Sequence, residues 1–188
     1  AASFALLVYV SSWIKCYYPD VFATALLNSM PMGFYQPAQI VLDAKKHRVE
    51  VRAVDVNYSC WDNSIEEGTA SYKPIRLGFR QIKGIREEDM GVLIAGRTVL
   101  FRDIPALVDA GVSLAVLERL ADADAFRSMG LDRRQALWEV SALADKPIGM
   151  YTGQAAETVY EQNIELPLMT LSEHVVHDYG STSLSLKA

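Results

Sequence analysis

Cysteine is nearly missing: Cys16 and Cys60 are the only two in 188 residues. That excludes a disulfide framework and a Cys-x-x-Cys metal pair, and it suits a reducing, cytoplasmic setting. A long apolar run is also missing. The uncharged, apolar stretch Ser3–Ile14 falls short of the roughly 20 residues that a membrane-spanning helix requires, and no basic segment precedes it. The expectation is a soluble chain with no membrane partner. An overall excess of positive charge is lacking as well: 18 Lys and Arg stand against 23 Asp and Glu, a formal charge of -5. With 51% hydrophobic and 22% charged residues, the composition is that of a folded globular chain with one sizeable core or two small ones.

Positive charge is scarce in total but concentrated in place. Residues 1–71 hold 5 Lys and Arg against 7 acids, residues 72–102 hold 7 against 3, and residues 103–188 hold 6 against 13. A local phosphate-contacting patch on an otherwise acidic protein has this distribution. Within the basic segment, Leu77–Arg97 reads LGFRQIKGIREEDMGVLIAGR, with apolar Phe79, Ile82 and Ile85 followed by an amphipathic run to Arg97. A short helix ending in Ile-Lys-Gly-Ile and followed at once by a second helix is the pattern of a helix-hairpin-helix. Gly84 supplies the positive φ that a reversal between helices needs. The reversal would expose the first amides of the second helix, a natural anion site. The main chain of Lys83, Gly84, Ile85 and Arg86 and the side chains of Arg80, Lys83, Arg86 and Arg97 are the candidate phosphate contacts.

Along the chain, Phe4–Tyr18 is apolar on nearly every face and predicts a buried helix. Tyr18-Pro19 ends it, and Pro19–Asn28 begins another, with Val21, Phe22, Ala25 and Leu26 as its packing face. After a turn-rich connector, Pro37–Arg48 predicts a third helix with Ile40, Val41 and Ala44 inward. The period then becomes two: Val49, Val51 and Ala53, then Val54 and Val56, predict extended segments that pair with Ile75–Phe79 in a small two- or three-stranded sheet. Asn57–Lys73 shows no period and reads as a loop. A second hairpin is expected from a helix over Val112–Ala121 with Ser113 as N-cap, a turn packed by Ala125 and Phe126, and a helix Arg133–Leu143 capped by Asp132. Leu137 and Trp138 would anchor that last helix. The fold class is mainly α with a small β element.

The succession of SFALLVYVSSWIKCYYPDVFATALLNSMPMGFYQPAQIVLDAKKH, VEVRAVDVN, RLGFRQIKGI and LADADAFRSMGLDRRQALW resembles the bacterial C-family DNA polymerases, and among them the error-prone paralogues of the replicative alpha subunit. The resemblance implies four parts. Residues 1–57 would end the fingers domain, 58–75 would be a linker, 76–143 would be a tandem helix-hairpin-helix module, and 144–188 would lead towards an oligonucleotide-binding barrel. It further implies a piece of a longer polymerase used in translesion synthesis and repair, a function expected to be sequence-independent grip on duplex DNA. Partners would be DNA, the other domains of the polymerase, and repair or replication accessory proteins. The polymerase as a whole would use Mg²⁺ on palm aspartates, and this chain has none of them, so it should hold no cofactor and be inactive alone. Asp122 and Asp124 have Asp-x-Asp spacing but lie between helical segments. Asp124 stands where the replicative members usually have a glycine, and its carboxylate would weaken phosphate contact by Arg127, Arg133 and Arg134. Arg48 and Ser183 also replace family glycines, and Ala53 a proline. The alternative is a protein-interaction module in which the acidic residues 103–188 dock to another subunit without touching DNA. His174 and His177, spaced i, i+3, lack a third ligand for a metal. Trp13 and Trp138 read as core, and Trp61 is the one aromatic whose role stays open.

Overall fold

A computed structural model of the chain describes residues 2–144 and 166–187. Proline sets the early helix starts, since its fixed φ suits a first turn. Helices α1 (Ala2–Tyr17) and α2 (Pro19–Asn28) break at Tyr18-Pro19, and α3 (Pro37–Lys46) opens on Pro37. Three two-residue strands follow: β1 (Val51–Arg52), β2 (Ser64–Ile65) and β3 (Ile75–Arg76). The central strand is β3, parallel to β1 through Val51 and Ile75 and antiparallel to β2 through Ser64 and Arg76. A 3-10 turn, Phe79–Gln81, leads to α4 (Glu87–Gly96), then α5 (Ile104–Asp109) and α6 (Leu114–Asp122). A second 3-10 turn, Arg127–Met129, precedes α7 (Arg133–Ala144), and α8 (Leu171–Thr182) follows. Local signals account for several of these starts. Asp103 accepts the Ala106 amide, Asp132 and Gln135 exchange cap bonds, and Thr170 with Glu173 makes a capping box on α8.

The mainly helical class with a three-stranded sheet agrees with expectation, and one contiguous core runs through it. Leu27, Val56, Ile75, Leu77 and Phe79 join Leu117, Leu120, Phe126 and Leu184 in that cluster. Several details differ from the sequence reading. Strand β2 lies inside the stretch expected to be loop, because two residues cannot display a period of two. In α2 the buried side chains are Ala23, Thr24 and Leu27, while Val21 and Ala25 face out. The apolar α1 is exposed, with Phe4 at 73% and Tyr9 at 68%. Its pattern demands neighbours on all sides, and only α2 packs closely along it among the described residues. Trp13 is therefore half-exposed, as is Trp138, and α7 is anchored by Ala136 and Val140 instead. Most of the 144–168 segment lies outside the described residues.

Among the described residues, three non-glycine residues adopt left-handed backbone: Arg48 at φ +64°, Asp124 at +59° and Ser183 at +61°. They are the three positions at which the sequence resemblance led glycine to be expected. At the first two the helix ends in a Schellman pattern. Val49 N–H donates to Ala44 and Arg48 N–H to Lys45, and likewise Ala125 N–H donates to Leu120 and Asp124 N–H to Ala121.

Candidate nucleic-acid interface

The first hairpin is held from beneath before it reverses. Asn63 exchanges hydrogen bonds with Asn28 and accepts the Gly78 amide at 3.0 Å. A Cβ at Gly78 would sit 2.3 Å from the Trp61 carbonyl oxygen, so only glycine allows this approach. Phe79 and Ile82 are buried, Ile85 is buried beyond the turn, and Gly84 between them is exposed at φ +79°. Anchoring both isoleucines pushes the reversal outward. Among the described residues, the amides of Gly84 through Asp89 have no acceptor, which leaves the first turn of α4 open to an external anion. Glu87, Glu88 and Asp89 occupy that turn; they stabilise the helix dipole and oppose an incoming phosphate.

The candidate cations do not form the expected ring. Arg80 pairs with Asp62 and donates to the Met30 carbonyl at 3.2 Å. The Lys83 ammonium donates to the Tyr179 and Gly180 carbonyls at 3.0 and 3.1 Å, closing the end of α8. Arg97 donates to the carbonyls of Val56 and Ser59 at 3.1 and 2.8 Å, which makes it a strut between α4 and the sheet region. Arg86 is exposed and has no acceptor among the described residues. A cation absent from the sequence reading joins it. Arg119, on the last turn of α6, brings its Nε to 3.5 Å from where a Gly84 Cβ would lie, and it too is exposed without an acceptor among the described residues. Its one signal in the sequence is that it is the only cation on α6; its approach to the first hairpin is a tertiary fact.

The second hairpin is electrostatically closed. Burial pushes the Asp124 carboxyl pKa up, but hydrogen bonds from Arg127 and Lys187, both 2.8 Å, outweigh it and hold the group below its ordinary value. Buried Asp55 accepts the Ser128 amide at 3.0 Å and its hydroxyl at 2.7 Å, so an internal carboxylate already occupies that turn. Arg133 is fully buried, paired with Asp178 and donating to the His174 carbonyl, and it leaves the set of possible phosphate contacts. Arg134 donates to the Pro167 carbonyl at 2.6 Å and lies 3.7 Å from Glu173. The Lys187 ammonium also lies 3.2 Å from His174 Nδ1; burial and that positive charge depress the histidine's pKa. Trp61 packs partly buried against the core. No trio of His, Cys, Asp or Glu among the described residues is arranged for a metal ion, and Asp124 is committed to its two cations.

A family described as helix-hairpin-helix motif matches residues 48–136, a stretch that takes in the sheet, the first hairpin and the second as far as the first turn of α7. An error-prone DNA polymerase of Ruegeria pomeroyi is 51% identical over 191 residues, covering 100% of this chain and 17% of that protein. The chain is a relative of the error-prone DNA polymerases. An error-prone DNA polymerase of Sinorhizobium medicae is 47% identical with 19% of its length covered, and one of Brucella abortus is 51% identical with 18% covered. The chain thus spans less than a fifth of the length of the error-prone polymerases it matches. No helix among the described residues is long and apolar enough to cross a membrane.

Proposed function

We propose that this chain is the end of the fingers domain and the tandem helix-hairpin-helix module of an error-prone DNA polymerase, and that it grips duplex DNA by its backbone without reading bases. The observation that carries the proposal is the exposed Gly84 reversal, with unengaged amides from Gly84 to Asp89 and two free guanidiniums, Arg86 and Arg119, beside it. The amides would donate to a phosphate oxygen in their concavity while the guanidiniums neutralise it, contacts that carry no base identity. The acidic first turn of α4 moderates the affinity, which suits a polymerase that must advance along its template. Nucleotidyl transfer, translesion use and Mg²⁺ binding belong in this proposal to the longer polymerase. Residues 58–75 then act less as a linker than as the bed of the hairpin, through Asn63 and β2.

Fluorescence anisotropy with two duplexes of unrelated sequence tests the proposal. Equal affinity for both is expected, with Arg86→Glu weakening each by about tenfold at 0.1 M salt, one lost phosphate contact plus repulsion. A preference between duplexes, or an Arg86→Glu variant that binds as tightly as the parent, would overturn it.

A further inference from the structure

Beside the Gly84 turn, a groove of about 290 Å³ separates the end of α6 from the end of α8, lined by Lys83, Arg119, Asp122, His177, Gly180 and Ser181. Two of its polar side chains are spent inside the fold: Lys83 is held by two α8 carbonyls, and the Ser181 hydroxyl donates to the His177 carbonyl at 2.9 Å. Arg119 lines the groove exposed, without an acceptor among the described residues. Asp122, one turn further along α6, lines the same groove and forms no ion pair with it.

We propose that this groove is a second phosphate subsite with Arg119 as its cation, so that a DNA strand held at the Gly84 turn carries a neighbouring phosphate between α6 and α8. The inference rests on the DNA-gripping function proposed above and adds the residue and the direction of the track. Arg119 supplies a planar, always-charged donor fork suited to phosphate. His177 adds a donor edge on the far wall, and Asp122 subtracts charge from the site. A cation left unpaired beside a carboxylate it does not engage is explained if its partner is the ligand.

The test uses the full chain, a short labelled duplex and affinities measured across a range of salt, for the parent, Arg119→Ala, Arg119→Lys, Asp122→Asn and Arg86→Ala. Arg119→Ala should make the log-log slope shallower by about 0.9 and weaken binding about eightfold at 0.1 M salt, with Arg119→Lys close to the parent. Asp122→Asn should bind several-fold tighter, a gain that a purely structural aspartate would not give. Thermal melting of Arg119→Ala should match the parent, since the side chain makes no hydrogen bond. A slope unchanged by Arg119→Ala but reduced by Arg86→Ala would overturn the subsite and leave the broader function standing. A parent with no salt slope would overturn both.

Discussion

Arg48, Asp124 and Ser183 hold a backbone conformation that glycine adopts freely, and the first two differ in what offsets it. Arg48 is exposed and its side chain has no partner among the described residues, so nothing there offsets the strain. Arg48→Gly should stabilise the fold by roughly 0.5 to 1 kcal/mol, the left-handed penalty of about 1 to 2 kcal/mol less glycine's extra chain entropy. Urea denaturation checks it, and a loss of stability would refute the strain argument. At Asp124 the ion pairs with Arg127 and Lys187 change the outcome: Asp124→Gly should destabilise. Because the folded carboxyl titrates below its usual value, its contribution is present above about pH 4 and disappears as pH falls through the folded pKa. The stability gap between the parent and Asp124→Asn should therefore be clear at neutral pH and close under acid; a constant gap would mean the charge is irrelevant. The glycine substitutions were visible in the sequence through the family resemblance. Their common left-handed φ was not, because φ belongs to the folded helix end.

At the scale of elements, α8 is tied to the hairpins by Lys83 from one side and by Arg133 from the other. Arg133→Met leaves Asp178 buried without its cation and should cost about 3 to 5 kcal/mol, while Arg133→Met combined with Asp178→Leu should cost much less than the single change. Chemical denaturation of the three proteins measures this, and a single variant as stable as the double would contradict it. Lys83→Met should loosen the last turn of α8, seen as faster amide exchange at Gly180 and Ser181, since their helix end loses its cationic cap. The starts at Pro19 and Pro37 and the cap at Asp132 were legible because each acts within a few residues of itself; the caps at Asp103 and Thr170 emerged only in the structure, and Ser113 sits at the N-cap of α6 without a side-chain bond. Burial was less so. The apolar α1 pattern states what the helix would accept as neighbours, and the described residues provide only part of it.

For the whole molecule, the sequence located the basic segment correctly and misjudged how its charge is used. Of the cations in 72–102, Arg76 pairs with Glu66 and supports the sheet, Arg80 pairs with Asp62, and Lys83 and Arg97 bind carbonyls. A count of charges along the chain cannot separate internal pairing from exposed surface. The turn itself was legible in Ile82-Lys83-Gly84-Ile85, whose buried ends and exposed glycine follow from side-chain type alone. Arg119 came from another hairpin and could be found only in three dimensions. The central claim is that the amides of Gly84 through Asp89 receive a DNA phosphate. Amide chemical-shift mapping during titration with a short duplex tests it most directly. The account predicts the largest shifts at Gly84–Asp89 with Arg119 following; shifts gathered on α1 or on the second hairpin, with Gly84 unmoved, would contradict it.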